Sequence, residues 1–386
     1  MENRTWAQID LDALAYNMRQ IRKITNPNAL VMAVVKADAY GHGVRECADT
    51  LLKNGADRLA VATLGEAIEL RRVFPEVPVF ILGSAMDSDA NQIVENNIIA
   101  TVTDFAFAKA LSDEAIKQNK LQKVHIKLDT GMSRIGFLVG DKDNSSVINE
   151  ILSISKLPML EIEGIFSHFA TSDEESDEYT RLQFSRFMSV CDELKDKGLY
   201  IPIKHICNSA GIMMYPEYHL DMVRPGIILY GMYPSNEVDK TRLDLKYVMS
   251  LKSVITCVKE IESGRGVSYG KEYIADCGAK IATVPIGYAD GYSRSLGGKA
   301  KIAIGNKLFP VAGRICMDQC MIDVSGVNNI KRGDEVLIFG DGAVTVDDIA
   351  DWLGTINYEV TCMVSRRMPR AYQKGGKTIK VLEYLL

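Results

Sequence analysis

Leu30-Val31-Met32-Ala33-Val34-Val35-Lys36 is a run of six apolar residues closed by a lysine. It is too short for a typical helix and apolar at successive positions, which is how a strand buried on both faces reads. Working outward, the same kind of run recurs at Arg58 to Ala62, Val77 to Leu82, Ile98 to Val102, Val124 to Leu128, Leu160 to Ser167, Ile203 to Cys207 and Leu220 to Leu229, the last interrupted by Arg224-Pro225-Gly226. Stretches of helical period, such as Leu64 to Val73, Asp104 to Gln118 and Asp177 to Lys195, lie between them. Strand and helix alternating through eight such runs predict a closed parallel (β/α)8 barrel of the TIM type over residues 10–240.

Beyond about residue 240 the rhythm changes to β-branched runs separated by Gly-rich turns: Met249 to Ile261, Lys280 to Ile286, Ala300 to Ile304, Pro310 to Ile315, Met321 to Val324 and Glu335 to Ile338. Gly297-Gly298 and Gly305-Asn306 supply hairpin turns. Thr5 to Ile9 is a further strand, with Asp10 as the cap of a helix running to Ile24. Residues 1–9 and 241–386 are therefore expected to form a mainly antiparallel β domain.

The 386 residues are 47% hydrophobic and 25% charged, the mixture of a folded globular chain. Subtracting 50 acidic from 45 basic residues leaves a net charge of −5, which offers no broad positive field to nucleic acid or anionic lipid. No apolar run approaches the ~18 residues of a membrane helix, and Met1-Glu2-Asn3-Arg4-Thr5-Trp6 lacks a signal-peptide core. A cytoplasmic protein without nucleic-acid or membrane partners is expected. The eight cysteines contain no CxxC pair and are read mostly as buried thiols, with Cys316 and Cys320 as inward residues of one strand. The five histidines, at 42, 125, 168, 205 and 219, contain no HExxH pair, so no metal is expected.

Barrel chemistry belongs at the C-terminal ends of the strands. Lys36 ends the first, where partial desolvation favours a neutral, nucleophilic amine. Asn208-Ser209-Ala210-Gly211 follows the seventh and the eighth carries Arg224-Pro225-Gly226-Ile227; the loops after these two strands are the habitual phosphate site of such barrels. Taken singly, Lys36 also reads as a snorkelling lysine, Asn208 as a helix cap and Arg224 as half of a surface ion pair. Together they match what pyridoxal 5'-phosphate requires, an amine for its aldehyde and a cradle for its phosphate.

Longer motifs carry a resemblance. Val35-Lys36-Ala37-Asp38-Ala39-Tyr40-Gly41-His42-Gly43, Lys127-Leu128-Asp129-Thr130-Gly131-Met132-Ser133-Arg134-Ile135-Gly136, Arg224-Pro225-Gly226-Ile227 and Gly313-Arg314-Ile315-Cys316-Met317-Asp318-Gln319 resemble the alanine racemase family, in order and across nearly the whole chain. The resemblance implies an enzyme that interconverts L-alanine and D-alanine with pyridoxal phosphate and supplies D-alanine for peptidoglycan. Racemases for serine or for a broader set of amino acids, amino-acid decarboxylases on a similar barrel, and a non-catalytic cofactor-binding protein remain as alternatives, the last disfavoured by the β domain that supplies Tyr269.

By the same resemblance Lys36 holds the cofactor and is one of two bases, and Tyr269, in Gly266-Val267-Ser268-Tyr269-Gly270, is the other. Inverting a stereocentre requires a proton to leave one face and another to arrive at the opposite face, which two bases accomplish without crossing the cofactor plane. A tyrosine titrating near 10 needs help to act as a base, and His168 and Arg224 are the candidates to give it. Arg224 also matches the arginine facing the pyridine nitrogen. Arg134 matches the one at the phenolic oxygen, reaching toward substrate. Lys127 matches a position often carbamylated. Tyr40, Asn208, Ser209, Gly226, Ile227 and Tyr358 match positions that hold the phosphate. Tyr288, Met317 and Asp318 match positions that shape substrate entry and grip the carboxylate. The family arrangement implies a homodimer in which the β domain of one subunit closes the barrel mouth of the other.

Overall fold

The computed structural model describes residues 4–385; the terminal positions assigned above to the β domain, 1–3 and 386, lie outside the described residues. Two compact units emerge among the described residues, one of Ala15–Ala39 and Cys47–Leu245, the other of residues 4–14, Tyr40–Glu46 and residues 246–385.

The first unit is the eight-stranded parallel barrel. Its strands are Leu30–Val34, Arg58–Val61, Val79–Ile81, Ala100–Val102, Gln122–Asp129, Leu160–Phe166, Ile203–His205 and Met222–Val223. Parallel pairing joins the first three strands and, separately, the fourth through the seventh, with a bridge between Phe80 and Ile99 joining the third to the fourth. The Asp221 amide donates to the Lys204 carbonyl at 3.1 Å, and Met222 pairs with Leu30 to close the ring. Thr63 and Glu66 form a reciprocal cap on the helix Leu64–Val73, and Asp104 caps Phe105–Gln118 by accepting from the Phe107 amide at 2.9 Å. These caps fix where each helix leaves the C-terminal end of its strand.

The final apolar run departs from the reading of Leu220 to Leu229 as a strand. Only Met222–Val223 is extended; Pro225 has no N–H to continue a ladder, and Ile227–Tyr230 coils into a 3-10 turn stopped by Gly231 at φ 84°. The eighth strand therefore ends directly before Arg224.

In the second unit a seven-stranded sheet takes in Thr5–Asp10, antiparallel to Met249–Val254 and parallel to Arg370–Lys374, the exception in a mainly antiparallel unit. Asp10 caps the following helix, Leu11–Ile24, its Oδ1 accepting from the amides of Asp12 and Ala13. Met249 to Ile261 is not one strand but two, Met249–Val254 and Cys257–Ile261, which belong to different sheets. Of the run Pro310 to Ile315, Pro310 ends the strand Lys307–Pro310, the hairpin partner of Lys301–Ile304, and Val311 forms an isolated bridge before the chain turns at Gly313. Gly297-Gly298 follows a 3-10 turn, Arg294–Leu296, instead of joining two strands. Two helices, Val346–Leu353 and Asn357–Met363, were not legible in the β-rich pattern.

The cysteines are all free, and only Cys47, Cys191, Cys207 and Cys320 are buried. Cys257, Cys277 and Cys362 are exposed, which corrects the expectation of mostly buried thiols. Cys316 lies in the loop before the strand Cys320–Asp323, so strand alternation does not relate the two. Among the described residues no helix is long and apolar enough to cross a membrane, and no cluster of His, Cys, Asp and Glu has the arrangement of a metal site.

Candidate active site

Lys36 opens a single left-handed helical turn, Lys36–Tyr40, with Ala37, Asp38, Ala39 and Tyr40 at φ 52–55°. Left-handed backbone costs a residue with a Cβ roughly 1–2 kcal/mol, so four in succession persist only where neighbours impose them. Two such constraints are visible: the Ala37 amide donates to Glu66 Oε1 at 2.6 Å and the Ala39 amide to the Val35 carbonyl at 2.9 Å. Glu66, which completes the cap of the helix Leu64–Val73, thus also fixes the backbone immediately after Lys36.

Arg224 is buried at the end of the eighth strand. Its Nη2 donates to the carbonyls of Ser167 (2.8 Å) and Ile206 (3.0 Å) and approaches His168 Nδ1 at 3.3 Å. Its Nη1 lies 2.7 Å from His205 Nδ1, and its Nε–H meets no acceptor among the described residues. His205 Nε2 lies 2.8 Å from His125 Nδ1, and His125 Nε2 3.1 Å from Glu163 Oε2. Glu163 ends the chain, taking Arg58 at 2.5 Å and Lys123 at 2.8 Å.

The ends of this chain dictate its protons. A guanidinium only donates, so His205 Nδ1 accepts and its proton sits on Nε2; that N–H donates to His125 Nδ1, leaving the His125 Nε2–H for the carboxylate. Both imidazoles are neutral, because burial lowers the pKa of each. Burial would raise the Glu163 carboxyl, but hydrogen bonds from His125, Arg58 and Lys123 outweigh it and hold it well below the usual carboxylate range. Arg224 is brought down to about 10, chiefly by burial, and stays charged near neutral pH.

The barrel mouth is rich in positive charge. Burial lowers His168 well below its ordinary value, and the charges of Arg224, Arg134, Lys127 and Lys36 add to that shift with no carboxylate among its causes. Because His168 Nδ1 faces the donating Arg224, its proton belongs on Nε2. Lys127 is buried, donates to the Leu128 carbonyl at 2.5 Å and is lowered to about 7, first by burial and then by Arg224. The Phe166 ring lies 5.4 Å from both the Lys127 ammonium and the Arg224 guanidinium and stacks on His205. Arg134 is exposed beyond the turn that Asp129 Oδ1 ties to the amides of Gly131 and Ser133.

The phosphate candidates of this unit come together. Asn208 caps Ser209–Met214, its Oδ1 accepting from the Gly211 amide and the Ser172 hydroxyl, and Ser209 Oγ accepts from the Gly226 amide at 3.0 Å, with Ile227 buried next to it. Clustered cations, a hydroxyl and an amide cap suit an anionic aldehyde, so the donor set fits pyridoxal phosphate.

In the second unit Tyr40 is buried, with its ring centroid 6.2 Å from that of Tyr358. Gly41, at φ 84°, makes this approach possible: a Cβ there would lie 2.3 Å from the Thr361 carbonyl oxygen, on the helix that carries Tyr358. The other candidates of this unit share one surface. Ser268 Oγ donates to the Arg314 carbonyl at 2.6 Å beside Tyr269, and the amides of Tyr288 and Ala289 donate to the carbonyls of Cys316 and Met317. Tyr269 (67% exposed), Tyr288 (43%) and Met317 (53%) present large apolar groups there to solvent, as a surface that meets a partner would.

Both units match one protein family. Residues 9–234 match the model of the alanine racemase N-terminal domain and residues 248–372 that of its C-terminal domain. The chain belongs to the alanine racemase family. It is 52% identical over 384 residues to an alanine racemase of Clostridium tetani, covering 98% of each chain. The solved alanine racemase of Clostridium difficile 630 superposes with a TM-score of 0.96 at 44% identity over 100% of both chains. A structure of that enzyme in complex with cycloserine gives 0.94 at 42%, again over 100% of both. The family is pyridoxal phosphate-dependent. Reading the sequence passed over Glu66, His125, His205 and Glu163. The available signal was the polar alternation His125, Lys127, Asp129 along one barrel strand.

Proposed function

We propose that this chain interconverts L-alanine and D-alanine with pyridoxal phosphate, and that Lys36 Nζ and Tyr269 Oη are the two bases that exchange the α-hydrogen. When bound, the cofactor supplies an electron sink for the charge left on the α-carbon. Lys36 would carry it; Tyr40, Asn208, Ser209, Gly226, Ile227 and Tyr358 would hold its phosphate. Arg134 would bond its phenolic oxygen and assist the substrate.

The observation that carries the reading is Arg224, a fixed guanidinium where a barrel decarboxylase is expected to present a carboxylate. With the cofactor bound, Arg224 would face the ring nitrogen as a hydrogen-bond donor that neither releases its own proton near neutral pH nor accepts one. Arg224 would thereby keep the electron sink weak and favour return of the proton to the α-carbon. His168, neutral with its proton on Nε2, would donate to the Tyr269 phenolate and ease its loss of a proton.

Racemisation with both bases requires a homodimer in which the surface of Tyr269, Tyr288, Met317 and Asp318 covers the barrel mouth of the other subunit. The exposure of the first three supports this. Tyr288, Met317 and Asp318 would then shape entry and grip the substrate carboxylate. Lys127, with its amine close to neutral, would take up carbon dioxide as a carbamate that pairs with Arg134. A cytoplasmic site of action suits an enzyme supplying D-alanine for peptidoglycan.

The test is chiral chromatography of L-alanine incubated with the purified chain, with and without added pyridoxal phosphate. Approach to equal amounts of both enantiomers, dependent on the cofactor, is expected; an unchanged single enantiomer overturns the proposal. The same assay on L-serine reads the breadth of the pocket around the β-carbon.

A further inference from the structure

The turn that carries Tyr288 and the loop that carries Met317 and Asp318 are stacked without space to spare. A Cβ on Gly287 would sit 2.3 Å from the carbonyl oxygens of both Cys316 and Met317. Backbone hydrogen bonds of 3.1 Å and 3.0 Å run from Tyr288 to Cys316 and from Ala289 to Met317. Within the turn, the buried Asp290 accepts from the Gly287 amide at 2.9 Å.

One side chain spans both segments. Arg367 Nη1 lies 2.9 Å from Asp318 Oδ1, and its Nε lies 3.5 Å from Asp290 Oδ1. Arg367 itself stands on a fixed base. The buried Arg370 donates to the carbonyls of Val364, Ser365 and Met368, and the Ser365 amide donates to the Asp290 carbonyl at 3.0 Å. The planar guanidinium therefore reaches two carboxylates on different loops from a third that does not give way.

We infer that Arg367 is a positioning residue that holds the Tyr288 turn and the Met317–Asp318 loop in one register, and through them sets the grip on the substrate carboxylate. The first half stands on these contacts alone; the second rests on the racemase reading above. Loss of Arg367 leaves Asp290 buried without its cation and frees Asp318, so both segments loosen together. An interaction that serves substrate and transition state equally appears in KM rather than kcat.

The test uses the full chain loaded with pyridoxal phosphate, as wild type, R367Q and R367K. In hydrogen–deuterium exchange, R367Q should speed the amides of residues 287–291 and 314–319 together while the barrel strands keep wild-type rates. In steady-state kinetics R367Q should raise KM for both alanine enantiomers about tenfold with kcat within about threefold, and R367K should recover much of that loss. Exchange unchanged in either segment, a fall in kcat with KM held, or R367K no better than R367Q overturns the inference. An inert wild type would refute the racemase reading, and the exchange result would still decide whether Arg367 couples the two loops.

Discussion

Arg224 Nη1 donates to His205 Nδ1 across 2.7 Å, and that one bond fixes the proton on each imidazole behind it. The chain ends in a carboxylate that cannot donate, so its polarity cannot reverse. It does not act as a proton wire. It connects the Arg224 charge to a buried countercharge at Glu163 and holds the guanidinium in one orientation.

Replacing His205 by Phe keeps a flat ring against Phe166 but removes both nitrogens. Arg224 Nη1 loses an acceptor and His125 Nδ1 a donor, each costing about 1–3 kcal/mol when buried. Urea unfolding of the His205→Phe variant should show that loss, and its racemisation should fall with it. Unchanged stability would mean that water replaces the imidazole.

Glu163 is held ionised by His125, Arg58 and Lys123, and its depressed folded pKa sets the sign of the pH effect. The unfolded chain binds the proton first, so the stabilisation is present above the ordinary carboxyl pKa of about 4.3 and is lost as pH falls below it. Glu163→Gln should cost about 3–5 kcal/mol near neutral pH, with the gap to wild type narrowing in acid. Urea midpoints across that range measure it; a gap that stays constant contradicts the assignment.

Lys127, brought down to about 7 by burial and by Arg224, is largely the free amine at mildly alkaline pH. Carbamylation joins the nitrogen of that free amine to the carbon of carbon dioxide and releases one proton, and would turn a neutral amine among cations into an anion able to pair with Arg134. Native mass spectrometry should show one added carbon dioxide, lost on acidification. Unmodified Lys127 in a fully active enzyme contradicts this.

Lys36→Ala should abolish the yellow absorbance of the bound cofactor. In the wild type, borohydride should fix the cofactor to the peptide containing Lys36. Fixation on another lysine, or colour retained in the variant, refutes the assignment of Lys36.

The barrel was legible because each buried strand announces itself locally, from Leu30–Val34 to Ile203–His205, and Lys36 stands out as the charge that ends the first. The paired site groups were not. His125, Glu163 and His205 lie on three strands, 38 and 80 residues from one another along the two bonded pairs, and meet only when the ring closes. The left-handed turn after Lys36 was also hidden, because Ala37, Asp38 and Ala39 have no local preference for it; Glu66 and the fold impose it. Arg367 reads as one cation in Ser365-Arg366-Arg367-Met368-Pro369-Arg370 until the loops bring Asp290 and Asp318 to it.

Two bases on opposite faces are tested most directly by following the α-hydrogen of each alanine enantiomer by NMR in D2O, with the wild type and with Tyr269→Phe. Because the products are mirror images, the ratio of kcat/KM in the two directions stays at one in any variant, and exchange reads what that ratio hides. The wild type should exchange and racemise both enantiomers. Tyr269→Phe should lose racemisation by about 10²–10⁴-fold and keep α-hydrogen exchange, through Lys36, on one enantiomer alone. Racemisation at the wild-type rate, or loss of exchange on both enantiomers with the cofactor still on Lys36, would contradict the two-base assignment.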